Sequence, residues 1–309
     1  MKIQDIHKYK LPYNKRIKGL NWILNRFVMV SENLLLRKQP IKNCIGKSKG
    51  EKKIILSMTT YPGRNNIVGW TIKSLLNQSV PVDRFILWLA EEQYPEEDIP
   101  QEIQQYMQYG LEVRFCNDLR SHKKYYYSML ENPDAIVITV DDDVIYPEDT
   151  VEKLLRMHKK YPNTVICNQA RWIAVEGDRL APYVKWRTML PEKVEQPSYR
   201  ILPIGEGGIL YPPGVLYKEL FSEELLMSLA PSVDDLWLKF MAVKQGTRAM
   251  VSEPEQRGLC PVWVVGQPSS SLQSQNVQGG NNDIAIEKIM RHYPELFAIL
   301  QNDTSRFVK

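Results

Sequence analysis

From residue 51 onward the chain alternates between two hydrophobic periodicities, and this limits the fold more than any other feature. Residues 54–58, 85–89, 111–115, 136–140 and 165–168 are short runs rich in Ile, Val and Phe that read as strands. Residues 65–78, 100–109, 121–131 and 147–161 lie between them and read as helices, the last with Pro147 expected in its first turn. Parallel neighbours need long crossovers, so this alternation calls for an α/β fold: a mostly parallel sheet flanked by helices. Further strands are expected at 208–211, 249–252 and 262–265. A helix over 234–245 stops at Gly246, and 283–300 reads as one final helix. Residues 267–282 are polar and glycine-containing, the composition of a loop that can act as a lid over substrate.

The first fifty residues are different. They carry twelve Lys and Arg against Asp5 and Glu32, a net charge of +10 in a chain whose total is +4. Such a segment favours anionic partners. Its apolar stretch, residues 20–36, is interrupted by Asn21, Asn25, Arg26, Ser31, Glu32 and Asn33. That is too polar for a spanning helix and lacks the small-residue end of a signal peptide. It fits an amphipathic helix lying on its own domain or on an anionic membrane surface. The expected organisation is a basic helical extension, 1–50, followed by one α/β domain, 51–309. With 43% hydrophobic and 25% charged residues, the composition excludes a disordered chain and a multi-pass membrane protein. Cys44, Cys116, Cys167 and Cys260 form no CxxC pair, and the four histidines have no zinc spacing. Free thiols in a reducing cytosol are expected.

The chemistry-bearing motifs sit at strand ends. Residues 136–140 run into Asp141-Asp142-Asp143. Three adjacent carboxylates repel one another unless a cation is present. The carboxyl end of a parallel strand is where α/β folds bind ligands. Oxygen-only donors suit Mg²⁺ or Mn²⁺ bridging a diphosphate, with a solvated acidic turn as the competing reading. The first strand ends in Thr59, Thr60, Tyr61 and Arg64, which can hold a base by stacking and hydrogen bonding and place a guanidinium near phosphate. Arg120, His122, Lys123 and Lys124 open the helix before the aspartates and can meet a diphosphate, Lys123 being the nucleotide-sugar-binding candidate. Asp234-Asp235 begins a helix, either as its cap or as a general base. Gly207 and Gly208 allow close approach of an acceptor, and Trp186 offers either a stacking face or a core indole.

Taken together, SMTTYPGR, VITVDDDVIYPEDTVEKLL, GEGGILYPPG and VDDLWLKF, in that order over about residues 51–300, resemble the GT-A-fold bacterial glycosyltransferases that build capsule or lipopolysaccharide. The resemblance implies a GT-A-type, Rossmann-like sheet and transfer of a sugar from a nucleotide-sugar donor to a hydroxyl of a glycan or lipid-linked acceptor. It implies that Thr59, Tyr61 and Arg64 line the nucleotide pocket and that Asp141 and Asp142 lie near the donor. It further implies that Asp143, with Asp141, holds Mn²⁺ or Mg²⁺, and that Asp235 or its neighbour Asp234 is the base of an inverting transfer. Asp283 and His292 are candidates for a later metal ligand. No nucleic-acid partner is expected. A cytoplasmic location, peripheral on the inner face of the plasma membrane, goes with the basic segment.

Three other readings stand beside this one. A phosphohydrolase of the haloacid dehalogenase type would use Asp141 and Asp143, but places its nucleophile on the first strand and its late acidic pair after an apolar strand. A nucleotidyltransferase would need a glycine-rich phosphate loop, which is not visible. A non-enzymatic, basic surface-binding module would show no turnover.

Overall fold

The computed structural model describes residues 18–48, 50–186, 196–252, 262–266, 276 and 279–303; for 18–25 and 262–263 it describes the backbone alone. The chain starts with helix α1 (Lys18–Lys38). The β/α alternation follows as β1 (Ile54–Thr59), α2 (Asn65–Leu76), β2 (Arg84–Ala90), α3 (Gln101–Met107), β3 (Leu111–Cys116), α4 (Lys123–Glu131) and β4 (Ile136–Thr139). Next come β5 (Val144–Ile145), α5 (Thr150–Lys160), β6 (Val165–Cys167), β7 (Ala170–Trp172) and the hairpin β8 (Val175–Glu176) and β9 (Arg179–Leu180). The chain continues through β10 (Ile201–Pro203), β11 (Ile209–Tyr211), α6 (Glu223–Leu229), α7 (Asp234–Lys244), β12 (Ala249–Val251), β13 (Val262–Trp263), α8 (Asn281–His292) and α9 (Glu295–Gln301).

Seven strands form the central sheet in the order β12-β6-β11-β4-β1-β2-β3. All neighbours are parallel except β11, which runs antiparallel to both β4 and β6. This is the mostly parallel α/β sheet the periodicity demands. Its strands are continuously apolar because both faces are covered. On β1 and β2, Leu56, Met58, Phe85, Leu87 and Leu89 share a core with Val68, Ile72 and Leu75 of α2. The alternate residues Ile55, Ile86 and Trp88 belong to the opposite layer, beneath α4. That layer holds one polar link: Ser128 on α4 accepts from the Trp88 indole at 2.8 Å and pairs with the Ser57 hydroxyl at 2.7 Å. Helix α1 packs on α2 and β13, its Leu36 sharing a small core with Ile67, Ile145 and Val264. Cys44, Cys116 and Cys167 are free and buried; Cys260 lies outside the described residues.

The structure corrects the sequence reading in three places. The final helix is two helices, because Pro294 cannot continue α8. Helix α5 begins at Thr150 and not at Pro147, whose carbonyl instead accepts from the Thr150 amide at 3.1 Å and hydroxyl at 2.8 Å. The strand expected at 262–265 spans Val262–Trp263 and pairs with β5, outside the main sheet. Most of the expected loop 267–282 lies outside the described residues.

Helix α7 is buried on nearly every side and encloses one misfit. Lys239 is buried, and its Nζ has no hydrogen-bond partner among the described residues. It lines a small cavity with Val165, Pro203, Tyr211, Leu238, Ala242 and Ala249. Burial pushes its pKa down to about 7 against the weaker pull of Asp303 and Cys167. A base whose pKa is depressed on folding destabilises the fold as pH drops from the unfolded value, near 10.5, towards 7, because the unfolded chain takes up a proton the folded one does not. We therefore expect Lys239→Met to stabilise the protein by on the order of 1–3 kcal/mol at neutral pH. The gain should shrink as the pH approaches about 10. Denaturant unfolding at the two pH values measures it; a variant less stable than the parent at neutral pH contradicts the assignment.

Candidate active site

Strand direction brings the motifs together. The carboxyl ends of β1 and β4 lie side by side, Ser57 opposite Thr139, so residues 59–64 and 141–143 open onto the same edge. Because β11 runs against β4, with Ile209 opposite Thr139, the turn Gly205–Gly207 that precedes β11 arrives at that edge as well. Helix α4 starts there with Lys123 and Lys124, and α7 starts there with Asp234 and Asp235. The N-cap of α7 is Val233, with no side-chain capping bond. Neither aspartate is spent as a cap, and Ser232 instead faces Asn276, which donates to the Ser232 carbonyl at 2.9 Å.

Two side-chain cations occupy the acidic cluster. Arg64 pairs with Asp142 and, at 2.9 Å, with Asp143. Lys124 is buried and bridges the two acidic motifs: its Nζ lies 2.7 Å from Asp141 and 2.8 Å from Asp234. Asp142 is buried, accepts from the Thr60 hydroxyl at 2.6 Å, and through its carbonyl accepts from the Thr71 hydroxyl at 3.0 Å. It is thereby turned into the protein. Asp141 and Asp143 remain partly exposed at the mouth. Asp235 accepts from the Gly205 amide at 3.0 Å through Oδ2; its buried Oδ1 has no hydrogen-bond partner among the described residues. A Cβ on Gly205 would lie 3.0 Å from both the Asp141 carboxylate and Lys124 Nζ, so only glycine leaves that ion pair undisturbed.

This crowding separates the carboxyl groups electrostatically. Burial opposes ionisation of Asp234, but the Lys124 charge and hydrogen bond, together with His122, outweigh it and hold the group below its ordinary pKa. Burial, and then the charge on Asp234, push Asp235 up to about 8. Burial and the neighbouring carboxylates Asp142, Asp141 and Glu206 raise Asp143 to about 7 despite Arg64. The site thus contains one carboxylate fixed in its ionised form beside one that can exchange a proton near neutrality, the pattern that separates acid–base roles in enzymes.

The remaining sequence candidates fall as follows. Thr59 ends β1, and its hydroxyl is taken up by the Trp88 carbonyl at 2.8 Å. The Tyr61 ring lies under the Arg64 guanidinium, 5.6 Å from its centroid, and presses on Gly63. Lys123 is buried against Asp118, so the lysine the fold delivers to the aspartates is its neighbour, Lys124. Trp186 is a core indole that donates to the Ala181 carbonyl at 2.8 Å, in place of an open stacking face. Gly207 is needed because a Cβ there would meet Gln169 at 2.6 Å, and Gly208 because its φ is +81°. Both serve protein packing; Gly205 is the glycine against the carboxylates. Asp283 accepts from the Tyr183 amide at 2.7 Å, and His292 stacks edge-on to Tyr293 at 4.4 Å. Among the described residues no group of three or more His, Cys, Asp or Glu side chains is arranged to hold a metal ion.

No protein-family model matches the chain, and no curated protein matches it. Among the solved structures that overlap with it are two of low identity. One is the mannosyltransferase PcManGT from Pyrobaculum calidifontis in complex with GDP-Man and Mn²⁺, 12% identical, TM-score 0.49, covering 97% of this chain and 80% of that one. The other is S. aureus TarS 1-349, 13% identical, TM-score 0.44, covering 81% of this chain and 71% of that one. Identities this low assign no chemistry to this chain.

Proposed function

We propose that this protein is a glycosyltransferase that moves a sugar from a nucleotide-sugar donor to an acceptor hydroxyl. The observation that carries the reading is the buried Lys124 bridge, which joins Asp141 at the strand end to Asp234 at the helix start and leaves Asp235 beside them with a buried, unpartnered oxygen. The donor diphosphate is assigned to the mouth of the sheet, where Asp141, Asp143, Arg64 and Tyr61 meet. The acceptor hydroxyl is assigned to the side of Asp235. As its oxygen attacks the anomeric carbon, the Asp235 carboxylate takes the proton, the new C–O bond forms, and the bond to the diphosphate breaks with its electron pair leaving on the phosphate oxygen. Lys124 helps keep Asp234 ionised, and burial together with that charge makes Asp235 the more basic group.

The donor set fits a divalent cation. It is all oxygen, carries more negative charge than Arg64 and Lys124 offset, and offers two partly exposed carboxylates, the number Mg²⁺ uses when substrate phosphates complete its shell. Asp143 and Asp141 would hold it, and a bound Mn²⁺ or Mg²⁺ would supply charge neutralisation for the departing diphosphate. The acceptor is proposed to be a glycan or lipid-linked sugar of a bacterial surface polysaccharide, with residues 51–309 as the catalytic unit. Residues 1–50 would hold it peripherally at the inner face of the plasma membrane. No helix among the described residues is long and apolar enough to cross a membrane.

The phosphohydrolase reading gains no support. Asp141 follows the fourth strand, after three β/α units, and Asp234 follows helix α6 and not a strand.

Four outcomes test the proposal. Asp143→Ala should abolish the Mn²⁺-dependent thermal shift caused by a nucleoside diphosphate, since a ligand of the folded state alone stabilises by mass action. Equal binding with the same Mn²⁺ dependence would refute the metal assignment. Asp235→Asn should leave donor binding intact and lower turnover about 10²-fold or more. Asp234→Asn should instead destabilise the fold by on the order of 3 kcal/mol, because it strips a partner from a buried lysine. Reversal of these two phenotypes would move the base to Asp234. For the parent enzyme, kcat/KM should rise with pH through an apparent pKa of about 8, since the base acts in its ionised form and that form is lost as pH falls.

A further inference from the structure

Helix α1 has two apolar faces, and the domain uses one. Leu36 and Val28 are buried, Leu36 against α2 and β13, and Asn33 accepts from the Val265 amide at 3.1 Å. The opposite face carries Phe27, Val30 and Leu34, which are 69%, 40% and 51% exposed. Their spacing, i, i+3 and i+7, lines them up along one side of the helix. Soluble surfaces seldom expose three large apolar side chains in a row unless something covers them.

The charges around this stripe identify the covering surface. Arg26 and Lys38 are exposed beside it, as is Arg37, whose guanidinium lies over the Trp70 ring of α2 at 5.1 Å, whereas Glu32, the one acidic residue in the helix, is buried on the domain side. The outward face is therefore apolar and cationic, with no acid, in a segment whose net charge is +10. A protein partner with an apolar patch would account for the stripe but not for exclusion of the acid from a whole helical face. Anionic head groups over an acyl layer account for both.

We infer that the outward face of α1 is a membrane-docking surface. Phe27, Val30 and Leu34 enter the head-group–acyl boundary of an anionic bilayer, while Leu36 and Asn33 fix the helix to the domain so that the whole enzyme is held at the lipid surface. This deepens the peripheral location proposed above and is independent of the transfer chemistry, which is read separately.

The test is co-sedimentation of the full chain with phosphatidylglycerol–phosphatidylcholine vesicles and with pure phosphatidylcholine vesicles. The parent should bind the anionic vesicles, and binding should weaken as salt is raised. Each cation near such a surface contributes on the order of 1 kcal/mol, so Arg37→Gln with Lys38→Gln should weaken binding about thirtyfold. Phe27→Glu with Leu34→Glu should abolish it, with an unchanged melting temperature because both side chains project outward. Nucleotide-sugar turnover on a soluble acceptor should survive in both variants, which separates failure of docking from failure of the transfer reading. Equal binding to both vesicle types, or undiminished binding by the Glu variant, would overturn the inference. So would a dimer in size exclusion that the Glu variant converts to monomer, since the face would then join copies of this chain.

Discussion

A lysine buried between two carboxylates holds this site together. Alone, Lys124 would be too costly to keep charged in the interior, and Asp141 and Asp234 would repel each other across the cleft. Together they form a compensated trio that fixes the first turn of α4, the end of β4 and the first turn of α7 relative to one another. Gly205 completes the arrangement: a methyl group at that position would press on the trio, and its amide orients Asp235. The reactive character of Asp235 follows from this geometry. It lies, half-buried, beside an aspartate whose charge is fixed.

The sheet topology makes the trio possible. In an all-parallel sheet every strand would enter from the far edge, and the turn before β11 would lie at the opposite end from the aspartates. Reversal of one strand next to β4 places that turn at the mouth. The acidic motif of α7, more than ninety residues beyond the first, then reaches the same edge because α7 packs behind β10, β11's neighbours in the chain. Arg64 closes the other side from the loop after β1 and binds Asp142 into the wall, so the partly exposed carboxylates are Asp141 and Asp143.

Much of this was legible in the sequence. Five apolar runs alternating with helical segments were enough for a parallel α/β sheet, and β1 to β4 fall where the periodicity puts them. Asp141–Asp143 and Asp234-Asp235 stood out because carboxylates at a strand end and at a helix start need a reason. The partners of those carboxylates were not legible. Lys123 and Lys124 are adjacent and chemically alike; only the rotation of α4 decides that one turns to Asp118 and the other to Asp141. The same holds for the glycines, where three in four positions look alike and long-range packing decides which abuts the site. Arg64 has a sequence position suited to phosphate, yet it is taken by the aspartates, a competition that local sequence does not encode. Trp186 shows the general tendency: a large indole in a mixed segment goes to the core.

In the proposed reaction the two acidic motifs act as one transfer site. The most direct measurement is release of nucleoside diphosphate from a panel of nucleotide-sugars by the purified full chain with Mn²⁺ or Mg²⁺, for the parent and for Lys124→Met. The parent should release nucleoside diphosphate from at least one donor. The Lys124→Met enzyme, if still folded by circular dichroism, should lose that activity, because the charge that sets Asp234 and Asp235 apart is gone. No release from any donor, together with hydrolysis of a simple phosphate ester by the parent, would contradict it.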